Sequence, residues 1–408
     1  MPAPGRPLRL LLGAFGDPGH AFPMIALGCA LRDRGHDVTL QTWTRWQADV
    51  EREGIRFAPA PEYHVFPTQE RPLKPYEAVV RAVRDTLTLV REVRPDVVVS
   101  DVLTLAPALS GELESVPVAT LVPHVDPRGA TGFAPYSLGA RLPRSAAGRA
   151  FWRALDPLVA RGVELGRVEL NETRSRLGLP ALSYPHGGIS RELALIATFP
   201  QLEYPREWPA GTHVVGPLQW EPPTEDVELP PGDGPLVLVA PSTAQDLEHR
   251  LLRAAIDGLG EMDGVRVLAT TNRRPLDGSV RLGANTRLVD WVSYARTMPR
   301  CDVVVCHGGH GTVMRALSSG CAVVVAPAAG DQNENAARVD WAGVGVRIPR
   351  RLVSDSSVRL AVQRALGDGG IQERALELAR WSGEHGSGAR AAALVERLAA
   401  GAAAPLRP

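Results

Sequence analysis

Ten short apolar runs punctuate the chain, at 8–15, 38–42, 96–100, 116–122, 193–198, 236–240, 265–270, 286–289, 302–306 and 322–326. Each is continuously apolar rather than alternating, which is the signature of strands covered on both faces of a parallel sheet. Segments of helical pattern lie between them. Strands that alternate with helices build right-handed βαβ units and doubly wound sheets, so the predicted class is α/β. Between the fifth and sixth runs, residues 216–235 read GPLQWEPPTEDVELPPGDGP, rich in proline, glycine and acid and without a period. That stretch reads as a linker over 217–235. It separates a first domain, 1–216, from a second, 236–385; residues 386–408 read as a helix packing back toward the first domain, followed by a frayed tail. The length of 408 residues supports the same division, since single cores stop growing well below that size.

Charge narrows the partners. Lys+Arg and Asp+Glu are both 45, a formal net charge of zero, which argues against nucleic acid or an anionic membrane surface as the main partner. The four cysteines, Cys29, Cys301, Cys306 and Cys321, form no CxxC pair and fall in apolar segments. They read as buried thiols of a reducing compartment. No apolar stretch approaches the roughly 20 residues that span a bilayer. The expectation is a cytoplasmic protein without stable membrane insertion.

Two turns carry candidate chemistry. The run 302–306 leads into Cys-His-Gly-Gly-His-Gly-Thr at 306–312, followed by a helical segment from Val313 to Ser318. A strand, a glycine-rich turn and a helix start make an anion site: Gly309 and Gly311 let backbone N–H groups approach a ligand, and the helix N-terminus carries about half a positive charge. His307 and Thr312 add side-chain donors. After the next apolar run come Asp331 and Gln332. The pair reads either as polar ligands for a hydroxylated group beside a diphosphate or as a plain polar turn at 330–333.

The first apolar run ends in Gly-Ala-Phe-Gly-Asp-Pro-Gly-His at 13–20, with a helix expected from about Phe22 and Pro23 in its first turn. A dinucleotide fingerprint requires G-x-G-x-x-G and an acidic residue closing the second strand. Here the spacing is G-x-x-G-x-x-G and the second strand ends in Gln41-Thr42-Trp43, so the fingerprint fails twice. His20 falls at the C-terminal edge of the predicted sheet, and Asp101 ends the third run on that same edge. A carboxylate bonded to an imidazole fixes its tautomer and stabilises the imidazolium, so His20–Asp101 reads as a base dyad. The alternatives are a packed or capping histidine and an Asp101 that N-caps a helix starting near Leu103.

Four features in order, Gly19-His20-x-x-Pro23, Asp101, Asp290-Trp291, and the 307–312 turn followed by Asp331-Gln332, resemble the family 1 glycosyltransferases of the GT-B fold. The resemblance is greatest to bacterial enzymes that decorate natural products, and it covers about residues 9–397. It implies two Rossmann-like doubly wound domains facing a cleft, the first binding the acceptor and the second the donor. It implies inverting, metal-independent transfer of a hexose from a UDP or dTDP sugar to a hydroxyl of a hydrophobic polyketide or phenolic acceptor. The nucleotide sugar would be a co-substrate, with no separate cofactor, and the enzyme a monomer or homodimer. Carried over residue by residue, His20 would deprotonate the acceptor and Asp101 support it. Trp291 would stack on the nucleobase and the backbone of Val292 pair with its edge; a core aromatic is the alternative for Trp291. His307, Gly309, Gly311 and Thr312 would hold the diphosphate, and Asp331 and Gln332 the sugar. Ser242 and Thr243 would approach the phosphates or sugar, or else cap the following helix.

One position departs from the family. Where many members carry a ribose-binding glutamate, this chain has Arg315. The change leaves room for a deoxyribose donor; Arg315 would reach a phosphate or face solvent. His310 occupies a variable slot. The loops 58–75 and 124–151 are long and rich in proline, and their Tyr63, Phe66, His124, Phe133, Tyr136 and Phe151 suit a flat, apolar acceptor. His36, His64 and His124 lack partners at metal-ligand spacing, so no metal site is expected. Two other readings share this fold: a nucleotide-sugar epimerase, which needs no acceptor pocket, and a catalytically silent helper, which could lose the His20–Asp101 pair.

Overall fold

A computed structural model describes residues 6–61, 75–242, 248–276, 278–328 and 330–401. Among them the first half runs β1 (Arg9–Gly13), α1 (Pro18–Arg32), β2 (Asp37–Thr42), α2 (Gln47–Arg52), β3 (Arg56–Pro59), α3 (Pro75–Val93), β4 (Val97–Asp101), α4 (Leu105–Leu113), β5 (Val118–Val122), α5 (Ala146–Arg176), β6 (Leu193–Ile196) and β7 (Thr212–Val214). The second half runs β8 (Leu236–Ala240), α6 (Arg250–Leu259), β9 (Arg266–Thr270), β10 (Thr286–Val289), α7 (Tyr294–Thr297), β11 (Val303–Cys306), α8 (His310–Ser318), β12 (Ala322–Val325), α9 (Asp331–Ala342) and β13 (Gly345–Arg347). Three helices close the chain: α10 (Asp355–Gly367), α11 (Gly369–His385) and α12 (Ser387–Ala399).

The strands form two sheets, ordered β3-β2-β1-β4-β5-β6-β7 and β10-β9-β8-β11-β12-β13. The paired strands are parallel, with Leu10 opposite Val97 in the first sheet and Val303 opposite Val237 in the second. Both follow the 3-2-1-4-5-6 order of doubly wound dinucleotide folds, although the glycine fingerprint is absent. The fold class is therefore α/β with two Rossmann-like sheets. The ten expected strands are present. Three short ones carry no continuous apolar run: β3, β7 and β13 all lie at sheet edges and are partly exposed. These three bury too little of themselves to look uniformly apolar, whereas β10, the fourth edge strand, is among the ten expected.

Helix α1 starts earlier than expected. Asp17 is its N-cap and Pro18 its first residue, which places His20 in the first turn and Pro23 inside the helix. Pro18 has the fixed φ that suits the first helical position, so it outcompetes Pro23 as the start. Likewise α8 begins within the glycine turn at His310, not at Val313, and α5 begins at Ala146, so Phe151 is helical rather than part of a loop. Asp101 is not the N-cap of α4; Thr104 is.

The segment read as a linker is fastened at both ends. Leu218 is in the core beneath β1, and Trp220 packs edge-on against Phe22 while its indole N–H donates to Glu53 Oε1 at 2.9 Å. Gln219 Nε2 donates to Ser318 Oγ at 3.0 Å, and the Glu221 carboxylate accepts from Ser293 Oγ and from the Ala295 N–H. Val227 and Leu229 pack on the second core. Prolines fix an extended backbone, and the few large side chains between them find buried partners. Helix α12 returns to the first sheet, burying Ala391, Leu394, Val395 and Leu398 in the same core as Leu10, Leu27 and Leu31.

Candidate active site

In a doubly wound sheet the crevice opens where the strand order reverses, beyond the carboxyl ends of the two central strands. Here those pairs are β1 and β4 in one sheet, β8 and β11 in the other. His20 follows β1 and Asp101 closes β4. Ser242, buried, follows β8, and the glycine turn follows β11.

His20 Nδ1 lies 2.9 Å from Asp101 Oδ1, and the Phe15 N–H donates to Asp101 Oδ2 at 3.1 Å. Both carboxylate oxygens are thus occupied in a fully buried side chain. An acceptor at Nδ1 places the proton there and leaves the Nε2 lone pair free to take another. Burial disfavours the imidazolium, but the charge and hydrogen bond of Asp101, with the charges of Asp17 and Asp331, outweigh it, and the pKa stands above its ordinary 6.5. The His20 side chain keeps 17% of its surface exposed, enough to meet a ligand.

His124 faces His20 edge-on at 6.2 Å between ring centres. Its Nδ1 donates to the carbonyl of Val125 at 2.8 Å, and Tyr136 Oη lies 3.3 Å from the same nitrogen. Burial pushes its pKa down to about 4, so the ring is neutral near pH 7 and presents Nε2 as an acceptor. Phe133 meets Tyr204 edge-on at 5.7 Å. Phe151 is 58% exposed on α5 and meets Trp152, so it is not brought to this cluster. Tyr63, Phe66 and Thr243 lie outside the described residues.

Across the cleft, Gly308 holds φ at +86°, and a Cβ there would lie 2.7 Å from Val325 Cγ1. Only glycine tolerates both conditions, which is why the chain can turn from β11 into α8. Gly309 is the N-cap, and the His307 ring lies over it: a Cβ on Gly309 would sit 2.5 Å from His307 Nε2. Gly311 is exposed with open space where a Cβ would be, and Thr312 shares the first turn. The amides at the start of α8 have no partner within the helix and carry its positive pole, the arrangement that suits an anion. His310 takes no part in it. It is buried, with Nε2 donating to Ala197 O at 3.0 Å and Nδ1 3.3 Å from Asn335 Oδ1.

Asp331 and Gln332 open α9 rather than forming an isolated turn. Asp331 is exposed, and its charge favours the protonated forms of His20, His124 and Tyr136, against the burial that sets His124 low. Gln332 is buried and its Oε1 accepts from the Ala328 N–H at 2.9 Å. Trp291 is half-buried after β10. Arg273 stands 4.5 Å over its ring, Tyr294 lies nearly parallel to it at 6.4 Å, and its Nε1–H reaches Thr224 Oγ1 at 3.4 Å. A base stacking there would share the ring with Arg273 or displace it. The Val292 side chain is core, leaving only its backbone for a ligand. Arg315 is half-buried rather than open to solvent; desolvation lowers its pKa and the nearby Glu221 opposes that shift.

Residue-by-residue reading overlooked Asn335, whose Nδ2 donates to Gly308 O at 2.8 Å and so holds the glycine turn from α9. It overlooked Glu334 as well, which reaches the other half of the molecule. The helical spacing 331, 334, 335, 338 was the available signal, once α9 was known to start at Asp331.

Comparison with known proteins agrees with this architecture. Residues 10–109 match the family described as "Glycosyltransferase family 28 N-terminal domain", and residues 253–398 match "Erythromycin biosynthesis protein CIII-like, C-terminal domain". The chain is 30% identical over 391 residues to 4'-demethylrebeccamycin synthase of Lentzea aerocolonigenes, covering 88% of this chain and 92% of that protein. It is 23% identical to the NDP-glycosyltransferase YjiC of Bacillus subtilis (strain 168), over 95% and 96% of the two chains. Among solved structures, the kitacinnamycin glycosyltransferase superposes with a TM-score of 0.75 at 22% identity, covering 97% of this chain and all of that one. VinC, solved in complex with dTDP, gives 0.69 at 17% identity, over 96% and 100%. Identity that low speaks for the fold alone, but the rebeccamycin-synthase relationship spans nearly both whole chains, and with the two sheets and their facing turns it establishes that this chain belongs to the bacterial natural-product glycosyltransferases of the GT-B fold.

Proposed function

We propose that the enzyme transfers a hexose from a nucleoside diphosphate sugar to a hydroxyl of an apolar small molecule, with inversion at the anomeric carbon. The observation that carries this is the His20–Asp101 pair after the first sheet's central strands, together with the glycine turn and helix start after β11 in the second. The acceptor hydroxyl gives its proton to His20 Nε2 as its oxygen bonds to the anomeric carbon. The bond from that carbon to the diphosphate breaks, and its electron pair leaves with the nucleoside diphosphate. Asp101 stabilises the imidazolium. The α8 amides, His307 and Thr312 receive the charge that develops on the leaving group, and Asp331 and Gln332 hold sugar hydroxyls. Trp291 supports the base, with Ser242 near the phosphates.

On the donor side, Arg315 stands where the family resemblance expects a carboxylate for ribose hydroxyls, so a thymidine nucleotide is the better fit. On the acceptor side, His124 offers a neutral acceptor nitrogen and Tyr136 an aromatic wall. The test is a transfer assay with dTDP- and UDP-hexoses against polyketide and phenolic acceptors, read by mass spectrometry, with the anomeric proton coupling of the product. A hexose added with the β-linkage from an α-donor supports the reading. A folded enzyme that leaves every donor and acceptor unchanged favours a silent helper instead, and retention of configuration would refute the single displacement.

A further inference from the structure

The stretch 123–145, between β5 and α5, carries His124 and Tyr136 and has no helix or strand of its own. Something else must hold it beside His20. In its middle, the Gly139 N–H donates to Glu334 Oε1 at 3.0 Å, and the Gly139 carbonyl accepts from Arg347 Nη1. Two residues on, Arg141 pairs with Asp340. All three partners belong to the second half, and Glu334 and Asp340 both project from α9. Glu334 is itself 4% exposed and sits one helical turn after Asp331. Gly139 has φ +67°, and a Cβ on it would lie 2.6 Å from Asn333 Cβ and 2.8 Å from Asn333 O. The loop backbone is thus pressed onto α9 at this point, closer than any side chain would allow.

We infer that Glu334 is a positioning residue through which the donor half builds the acceptor pocket: by fixing Gly139 it places Tyr136 and His124 beside His20. The inference rests on the transferase reading above. One helix would then serve both substrates, its first residue facing the sugar and its fourth holding the acceptor wall. A buried carboxylate is a costly way to tie a loop unless the loop's place matters, because its desolvation must be offset by every bond it makes.

The test compares wild type, Glu334→Ala, Glu334→Gln and Gly139→Ala by separate KM values for acceptor and donor. The glutamine retains a carbonyl oxygen for the Gly139 N–H and should stay within about threefold of wild type. Glu334→Ala should raise the acceptor KM about tenfold or more, the scale of a lost hydrogen bond to a charged group, with the donor KM and nucleotide affinity nearly unchanged. Gly139→Ala must reproduce that split independently, which guards against a Glu334→Ala that does not fold. An unchanged acceptor KM in Gly139→Ala or Glu334→Ala, or donor and acceptor KM rising together, overturns the inference while leaving the transferase reading intact. A wild type with no transfer activity overturns both.

Discussion

Asp101 does two things for His20 that a neutral partner cannot. It fixes the tautomer, and its charge holds the imidazole pKa above 6.5 despite burial. Replacing His20 with alanine should cost about 10²–10⁴ in kcat, the usual span of general-base assistance, and leave nucleotide affinity unchanged. In the proposed mechanism the working base is the neutral ring, so kcat/KM should rise with pH through the raised His20 pKa. In Asp101→Asn that rise should move to lower pH, because the supporting charge is gone, while the plateau falls. Stability should run the other way. A histidine whose folded pKa is raised contributes stability that is fully present below 6.5 and lost as pH climbs through the folded value. A pH profile of kcat/KM for both proteins checks the sign; an Asp101→Asn limb at unchanged pH would refute the pairing as the source. His20 and Asp101 were legible in the sequence because each closely follows an apolar run. His310, Arg273 and Phe151 were not legible in the same way. Whether His310 touches a ligand or Ala197, whether a guanidinium covers Trp291, and which way Phe151 faces depend on residues far away in sequence.

Elements were read as well as their burial allowed. Interior strands such as β1, β8 and β11 are buried along nearly their whole length and announced themselves as apolar runs. The edge strands β3, β7 and β13 did not, since hydrogen bonding to a neighbour leaves no mark on composition. Two prolines competed for the start of α1, and the earlier one won. The turn from β11 to α8 offers a contrast of two glycines. Gly308→Ala should lower Tm and weaken nucleotide binding together, because φ of +86° and the Val325 contact force the turn to shift, at a cost on the order of 1–3 kcal/mol. Gly311→Ala meets open space and should leave Tm nearly unchanged while weakening nucleotide affinity if the ligand approaches that face. Melting curves and nucleotide titrations of the two proteins separate the cases; equal losses of Tm would contradict the geometry.

At the scale of the molecule, the halves are not two bodies on a loose tether. The segment 216–235 is packed at both ends, α12 crosses back to the first sheet, and α9 meets the first half through buried charge. Arg338 donates to Leu202 O at 3.0 Å, lies 3.3 Å from Glu203 Oε2 and stacks over Tyr204, while Glu203 Oε1 accepts from the Asp126 N–H. Ion pairs so buried add little net stability after desolvation, but a docking that left Glu203 unpaired would cost about 3–5 kcal/mol. The two sheets and the segment joining them could be read from sequence, because composition alone marks them. The seam could not, because its charges look like ordinary surface residues until the halves meet. The proposed donor site on the second half is the part on which the mechanism rests, and the most direct measurement is thermal stabilisation of the enzyme by UDP, dTDP, GDP and NAD. At 100 Kd a ligand that binds only the folded state adds about 2.7 kcal/mol. A clear response to dTDP or UDP, with dTDP ahead as Arg315 suggests and none to NAD, is the expected result; a folded enzyme that no diphosphate stabilises would contradict the donor site.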